Sequence, residues 1–363
     1  MALDAKLEDS SRYFYETSEV ERLRRGEKSY VIGRKGTGKT AIAHHITAVK
    51  KHDIFSVRLS LKNFPWQILY PLKDGTFPRP NEYITIWKYV IYVATLEMMA
   101  KNEAVDSSFR AAVKSVFTED IRTALANTIT KITDVGFSLT SLFHGFGVAG
   151  NLSKAIVNNA VDWTKKVELL QNAIQEKIDH SSYYLVFDDL DEDYKYQSIF
   201  ETNRDYIEVI TGLFKAIQDV RSIFQEKSVF PVVFLRDDIF DLIQDNDKTK
   251  LLDLAVNLSW TDDTIKPLIS FRIERAKNKH YQKYNFAAAW GSVFEGQIGM
   301  GTGGKKLVST YEWISRQTMS RPRDYIAYIR MCADYAAKAQ SKKITPSTVT
   351  YQVIVIPNKI GLL

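Results

Sequence analysis

The sequence predicts an α/β fold on a parallel sheet. Three apolar runs predict it, each of a length suited to a buried strand and each ending in polar residues with chemistry. The first, Ser29-Tyr30-Val31-Ile32, enters Gly33-Arg34-Lys35-Gly36-Thr37-Gly38-Lys39-Thr40 and then the helix-compatible Ala41-Ile42-Ala43-His44-His45-Ile46. The second, Tyr183-Tyr184-Leu185-Val186-Phe187, ends in Asp188-Asp189-Leu190-Asp191. The third, Val229-Phe230-Pro231-Val232-Val233-Phe234-Leu235, ends in Arg236-Asp237-Asp238.

The first stretch has the spacing G-x-x-x-x-G-K-T with a strand before it and a helix after it, the context in which a P-loop cradles phosphates. Its glycines allow positive φ and bring backbone N–H groups onto phosphate oxygens. The helix N-terminus adds free N–H groups and a favourable dipole. The expected nucleotide contacts are Gly33, Arg34, Lys35, Gly36, Thr37, Gly38, Lys39, Thr40 and Ala41. Lys39 is expected to reach the β- and γ-phosphates, and Thr40 to ligate Mg²⁺. The second run has the form of a Walker B strand, which holds a carboxylate at its C-terminal edge. Asp188 would hold Mg²⁺, mostly through water, and Asp189 would polarise the attacking water. Arg236 has two functional readings, contact with the γ-phosphate or pairing with Asp188 or Asp189. A third reading is a surface salt bridge at a strand end.

Taken in order, residues 1–28 are a polar lead-in with one aromatic cluster, Tyr13-Phe14-Tyr15. The cluster packs either beside a nucleotide base or as a staple onto the core. The P-loop helix should run to about residue 50, and residues 53–60 alternate like a second strand. His44 and His45 are adjacent on a helix and point about 100° apart, so neither reads as a metal ligand. Lys39 and Asp188 lie 149 residues apart, more than a minimal core needs, so residues 61–182 are expected to be largely a helical insertion. Helices are expected within it near 87–100, 109–130 and 155–178. The glycine-rich apolar segment 136–150 reads as a hairpin, a mobile loop or a partner-binding segment. After it come a helix over 204–225, the strand 229–235 with Pro231 tolerable near its start, and a short strand within 253–260. A helix to about residue 279 is expected to carry Pro267 in its first turn. The remainder should be mainly helical, with 299–304 a linker or β-turn. Arg321-Pro322-Arg323-Asp324 should open a helix to residue 338, and Pro346 should start another.

Hydrophobic residues make up 45% and charged residues 25% of the 363, the balance of an ordinary globular protein with two or three domains. One cysteine, Cys332, excludes a disulfide framework and reads as a core filler, which fits a reducing cytoplasm. The first residues lack the apolar core of a signal peptide. The longest apolar stretch, 83–100, is interrupted by Lys88 and Glu97, so no membrane span and no membrane partner are expected. Residues 271–363 hold 15 Lys and Arg against 5 Asp and Glu, a net of +10, whereas the preceding 270 hold 34 against 38. That asymmetry points equally to nucleic acid or another acidic partner and to a solvated basic surface.

With these residues in view, Gly-Arg-Lys-Gly-Thr-Gly-Lys-Thr, Leu-Val-Phe-Asp-Asp-Leu-Asp and Phe-Leu-Arg-Asp-Asp-Ile-Phe resemble a group of bacterial stand-alone P-loop ATPases. That group looks related to the KAP, STAND and origin-recognition-like ATPases of the AAA+ assemblage. Arg321-Pro322-Arg323-Asp324 resembles the sensor-2 motif of that assemblage, which would make Arg323 sensor 2 and put Arg236 after the sensor-1 strand. Two departures stand out. The usual AAA+ Walker B ends Asp-Glu, here Asp188-Asp189, which implies slow turnover. The C-terminus lacks the acidic helical tail expected in relatives, so the chain is either shortened or diverged there.

The resemblance implies a three-layer P-loop NTPase core with a parallel sheet over 29–270, a helical insertion, and a basic helical lid of winged-helix type over 271–363. The expected cofactors are ATP and Mg²⁺. The expected function is a cytoplasmic ATP-hydrolysing molecular switch of the kind found in bacterial conflict and anti-phage systems. Its expected partners are ATP and ADP, a second copy or an effector protein, and nucleic acid through 271–363. The alternatives are a DNA-associated ATPase of origin-recognition type and a nucleotide-gated oligomeric scaffold with negligible turnover.

Overall fold

The computed structural model describes residues 10–72, 75, 81–130, 163–191, 200–224, 228–277, 285–300 and 305–355 of the chain. Segment 136–150, much of 299–304, and the last eight residues lie outside that set. The chain divides into two compact units. One holds Met1–Thr17, Gly33–His45 and Leu258–Leu363, and the other holds Ser18–Ile32 and Ile46–Asn257.

The second unit is built on five parallel strands: β1 (Tyr30–Ile32), β2 (Ile54–Ser60), β3 (Ser182–Asp188), β4 (Val229–Leu235) and β5 (Ala255–Asn257), in the order β2-β3-β4-β1-β5. The three inner strands are apolar along nearly their whole length because both faces of a parallel sheet are covered. Pro231 sits within β4, an inner strand, yet β1 pairs with β4 only from Val233 onward. A residue without an N–H is tolerated there because β4 has not yet acquired its second neighbour. Register sets Ser60 opposite Asp188 and Arg58 opposite Val186.

Between β2 and β3 the chain forms α4 (Ile84–Met99), α5 (Ser107–Val116), α6 (Ile121–Thr130) and α7 (Trp163–Lys177), following α1 (Ser10–Tyr13), α2 (Ser18–Arg24) and α3 (Lys39–Ala48) earlier in the chain. Helix α4 is apolar nearly all round and is buried nearly all round. It packs against α7, against α8 (Phe200–Ile223), and against β2 and β3. The Trp87 indole donates to the Val209 carbonyl at 2.8 Å, and the Tyr30 hydroxyl to the Phe214 carbonyl at 2.7 Å. These helices share one apolar core with the sheet.

The helix expected over 109–130 is two. Phe117 ends α5 with φ −103° and ψ 85°. The Glu97 carboxylate, reaching from α4, accepts the first N–H of α6 at Ile121 at 3.1 and 3.2 Å. A buried side chain thus satisfies the first free N–H of the new helix, and Asp120, just before it, accepts the Arg122 N–H at 3.0 Å. Two further helices, α9 (Asp237–Asp241) and α10 (Lys248–Asp253), lie between β4 and β5.

The first unit contains α11 (Asp262–Lys277), α12 (Phe286–Gly291), the antiparallel pair β6 (Gln297–Met300) and β7 (Lys306–Ser309), then α13 (Thr310–Gln317), α14 (Pro322–Lys338) and α15 (Pro346–Val355). Pro267 falls in the second turn of α11 rather than the first, because the helix begins earlier, on Asp262 and Asp263, with the Ile265 N–H bonded back to Thr261. Gly299 and Met300 belong to a strand rather than a linker: Ile298 and Val308 alternate inward and are almost fully buried. The core of this unit is aromatic, with Trp290 stacked on Phe294 at 4.0 Å and Tyr311 edge-on to Trp290. Cys332 is fully buried in α14, and burial pushes its thiol up to about 12.

Candidate functional site

The predicted residues fall into both units. Residues 33–41 and Arg323 belong to the first; Asp188, Asp189 and Arg236 belong to the second.

In the first unit, Gly36 and Gly38 have φ of +89° and +106°, the left-handed region that a side chain disfavours. Gly33 is needed for a different reason. A Cβ there would stand 2.8 Å from the Leu258 carbonyl oxygen. The loop therefore turns tightly and opens α3 at Lys39. The Lys39 ammonium is largely buried and donates back to the Gly33 carbonyl at 2.7 Å and the Arg34 carbonyl at 3.1 Å. Thr37 closes the turn, its hydroxyl donating to the Arg34 carbonyl at 2.8 Å. Arg34 and Lys35 are exposed, and Thr40 and Ala41 are half-buried in the first turn of α3.

Residues far along the chain hold this loop. The Trp260 indole donates to the Thr37 carbonyl at 2.8 Å. The Arg323 backbone N–H reaches the Gly36 carbonyl at 3.4 Å, and a Cβ on Gly36 would touch the Arg323 side chain at 3.4 Å. Arg321, at the N-cap of α14, bonds the buried Asp324 carboxylate at 2.6 Å and reaches the Lys35 carbonyl at 3.5 Å. Arg323 itself is exposed. Pro322 at the first helical position fixes this helix start, where its missing N–H costs nothing. Of the aromatic cluster, Phe14 stacks on His45 at 3.8 Å with the rings 8° from parallel, and Tyr15 tilts against Phe271. Arg12 caps the last turn of α11 through the Arg275 carbonyl at 2.6 Å.

In the second unit, Asp188 ends β3, and Asp189 follows in left-handed conformation with φ 61°. The two residues are 3% and 8% exposed. One guanidinium serves both: Arg58 Nη2 lies 2.8 Å from Asp188 Oδ2 and 3.1 Å from Asp189 Oδ2. The Ser60 hydroxyl donates to the same Asp189 oxygen at 2.6 Å. Burial pushes the Asp188 carboxyl above the usual range, and the neighbouring Asp189 charge pushes it further, with Arg58 pulling the other way. The sequence reading missed Arg58 and Ser60. The signal was a lone arginine in an alternating apolar strand, but its meaning depends on β2 lying beside β3.

Arg236 stands at the N-cap position of α9, and its side chain bonds the Asp238 carboxylate through Nε at 2.9 Å. Asp191 lies 3.8 Å from it, and the Asp237 charge also acts on it. Arg236 is thus brought to Asp238 and Asp191, and none of its ion pairs among the described residues is with Asp188 or Asp189.

The acid pair suits a divalent cation in kind. Carboxylate oxygens are the hard donors that Mg²⁺ prefers, and Mg²⁺ is normally held by one or two carboxylates with water and phosphate completing the shell. Among the described residues no group of three or more His, Cys, Asp or Glu forms a complete cage. A cation here would need ligands beyond these two carboxylates to complete its shell.

The fold and these clusters define an α/β protein with a five-strand parallel sheet and a C-terminal helical domain. Residues 263–352, from the start of α11 into α15, match a family described as the FunZ-associated C-terminal helical domain. No curated protein matches the chain. Among the described residues no helix is long and apolar enough to cross a membrane.

Proposed function

We propose that the chain is a P-loop ATPase of the stand-alone bacterial kind, a nucleotide-driven molecular switch serving a conflict system. The observation that carries this reading is the glycine-rich loop itself. It has two positive-φ glycines, opens a helix, and holds the largely buried Lys39 ammonium against its own carbonyls. A buried cation beside a turn of backbone N–H groups is suited to phosphate, and charge-assisted contacts are the strong ones.

In this reading Gly33 to Ala41 would surround the phosphates, Lys39 would answer to the β- and γ-oxygens, and Thr40 and Asp188 are the residues that would hold Mg²⁺. The metal would neutralise charge on the phosphates. Asp189 would orient water, Arg323 would answer to the γ-phosphate, and Arg236, paired with Asp238 and Asp191, would be the residue after the sensor-1 strand. The C-terminal domain would act as a winged-helix-like lid, a reading supported by the β6–β7 pair set between the helices α11–α12 and α13–α15. One observation favours the scaffold alternative with negligible turnover: Asp189 is already engaged by Arg58 and Ser60.

Titration calorimetry with ATP and Mg²⁺ tests the reading. Wild type should bind, and Lys39→Ala should bind about a hundredfold more weakly or not at all, given roughly 1.5–3 kcal/mol for a hydrogen bond to a charged group. Equal affinity in the two proteins would remove the P-loop assignment. Phosphate release, with and without DNA, then separates the switch, the scaffold and the DNA-associated ATPase.

A further inference from the structure

Arg58 is bonded to both carboxylates at the end of β3, and its Nη2 reaches one oxygen of each. The arrangement is compact: its side chain is 15% exposed, against 4% for Asp188 and 9% for Asp189. Strand register holds it there, since Arg58 and Ser60 lie on β2 opposite Val186 and Asp188 of β3. Two ionised acids against one guanidinium leave a net negative charge, which attracts a further cation. The oxygen nearest Arg58, Asp188 Oδ2, is already taken by it.

We propose that Arg58 is a built-in competitor for the metal: a divalent cation gains Asp188 Oδ2 only when Arg58 gives up that oxygen and stays on Asp189. This rests on the reading of Asp188 as a metal ligand. The partner it keeps is already in place. Arg58 Nη2 has Asp189 Oδ2 at 3.1 Å, and the Ser60 hydroxyl fixes that oxygen from another side at 2.6 Å. Arg58 therefore keeps a partner when it leaves Asp188, and the cost of release is one charge-assisted bond rather than an unpaired buried guanidinium. A metal on Asp188 Oδ2 and the Arg58–Asp188 bond exclude each other. The chain without nucleotide then holds metal weakly, and phosphate oxygens supply the missing attraction.

The test is Mn²⁺ binding in the absence of nucleotide, read from the free-ion signal in electron paramagnetic resonance. Arg58→Gln should bind Mn²⁺ about tenfold or more tightly than wild type, the effect of removing one charged hydrogen bond from the competition. Adding Asp188→Asn to that variant should abolish the gain. Unchanged or weaker Mn²⁺ binding by folded Arg58→Gln overturns the proposal. Should Arg58→Gln fail to fold for lack of a counter-ion, the comparison moves to Asp189→Asn with and without Arg58→Gln, where one acid has already been neutralised. The double variant should again bind Mn²⁺ more tightly than its single parent, and equality overturns the proposal. A wild type that binds no ATP would remove the nucleotide reading and leave the Mn²⁺ comparison intact. Intact ATP binding with no Mn²⁺ gain would do the reverse.

Discussion

Asp188 and Asp189 are neighbours in sequence but differ in what they touch. Asp188 is bonded by Arg58, while Asp189 is held by Arg58 and by Ser60, with its backbone in the left-handed region. Burial raises the Asp188 carboxyl pKa, so the folded chain holds that proton more tightly than the unfolded chain does. Ionising it therefore weakens the fold as pH rises upward from the ordinary carboxylate range. Asp188→Asn removes the penalty, so at pH 8 the ligand-free variant should melt about 1–3 °C above wild type. The same substitution should remove the Mg²⁺ dependence of ATP binding, whereas Asp189→Asn should leave binding near parental and lower phosphate release. Scanning fluorimetry and calorimetry with and without Mg²⁺ check both halves. Parental turnover in Asp189→Asn would move the water-orienting role elsewhere, to Asp191 first.

Among the elements, α4 and α6 are joined by a group whose charge the fold penalises. Glu97 on α4 accepts the Ile121 N–H that starts α6, and burial pushes its carboxyl up to about 7, with the Ile121 bond opposing. The unfolded chain titrates near the ordinary value of 4.5. Between those two pH values the folded state binds more protons, so stability falls as pH rises through that window, and the full cost is present above it. Glu97→Gln keeps the acceptor and removes the charge. It should stabilise the protein at pH 8 by on the order of 1–3 kcal/mol, with the gain fading toward pH 4.5. Chemical denaturation at pH 5, 7 and 8 reads this directly. A difference that does not change with pH would show that Glu97 does not titrate in that range.

Across the whole molecule the charge is segregated, with net +10 over residues 271–363. Four lysines there, Lys305, Lys306, Lys342 and Lys343, are natural candidates for phosphate contact. One of them also supports the fold, since Lys343 donates to the Gly291 carbonyl at 2.8 Å. Lys305, Lys306 and Lys342 are exposed, so they are the three to reverse. If this domain binds nucleic acid, changing all three to Glu should abolish duplex binding and leave basal phosphate release alone. Parental binding should fall with salt at a log–log slope of about −0.9 per phosphate contacted. Fluorescence anisotropy at two salt concentrations measures both. No binding at low salt, with or without ATP, would leave a protein partner as the reading of this basic surface.

The sequence alone determined what depends on near neighbours. The strands of the parallel sheet were legible because a strand buried on both faces must be apolar along its length, as in 183–187 and 229–235. The turn at Gly33, Gly36 and Gly38 was legible because left-handed backbone and close approach require glycine. Pro322 and Pro346 marked helix starts because a residue without an N–H is cheapest there. Tertiary structure alone decided the rest. Arg58 meets Asp188 across 130 residues of chain because β2 lies beside β3, and strand order leaves no mark in local spacing. Arg236 turned to Asp238 and Asp191 because the helix that begins after it brings Asp238 within reach of its guanidinium. Glu97, one helix away, takes the first N–H of α6 while Asp120 caps the same turn locally, and the site of Pro231 depended on where β1 begins to pair. In each case the deciding partner is distant in sequence, or is oriented by a backbone turn that composition does not specify.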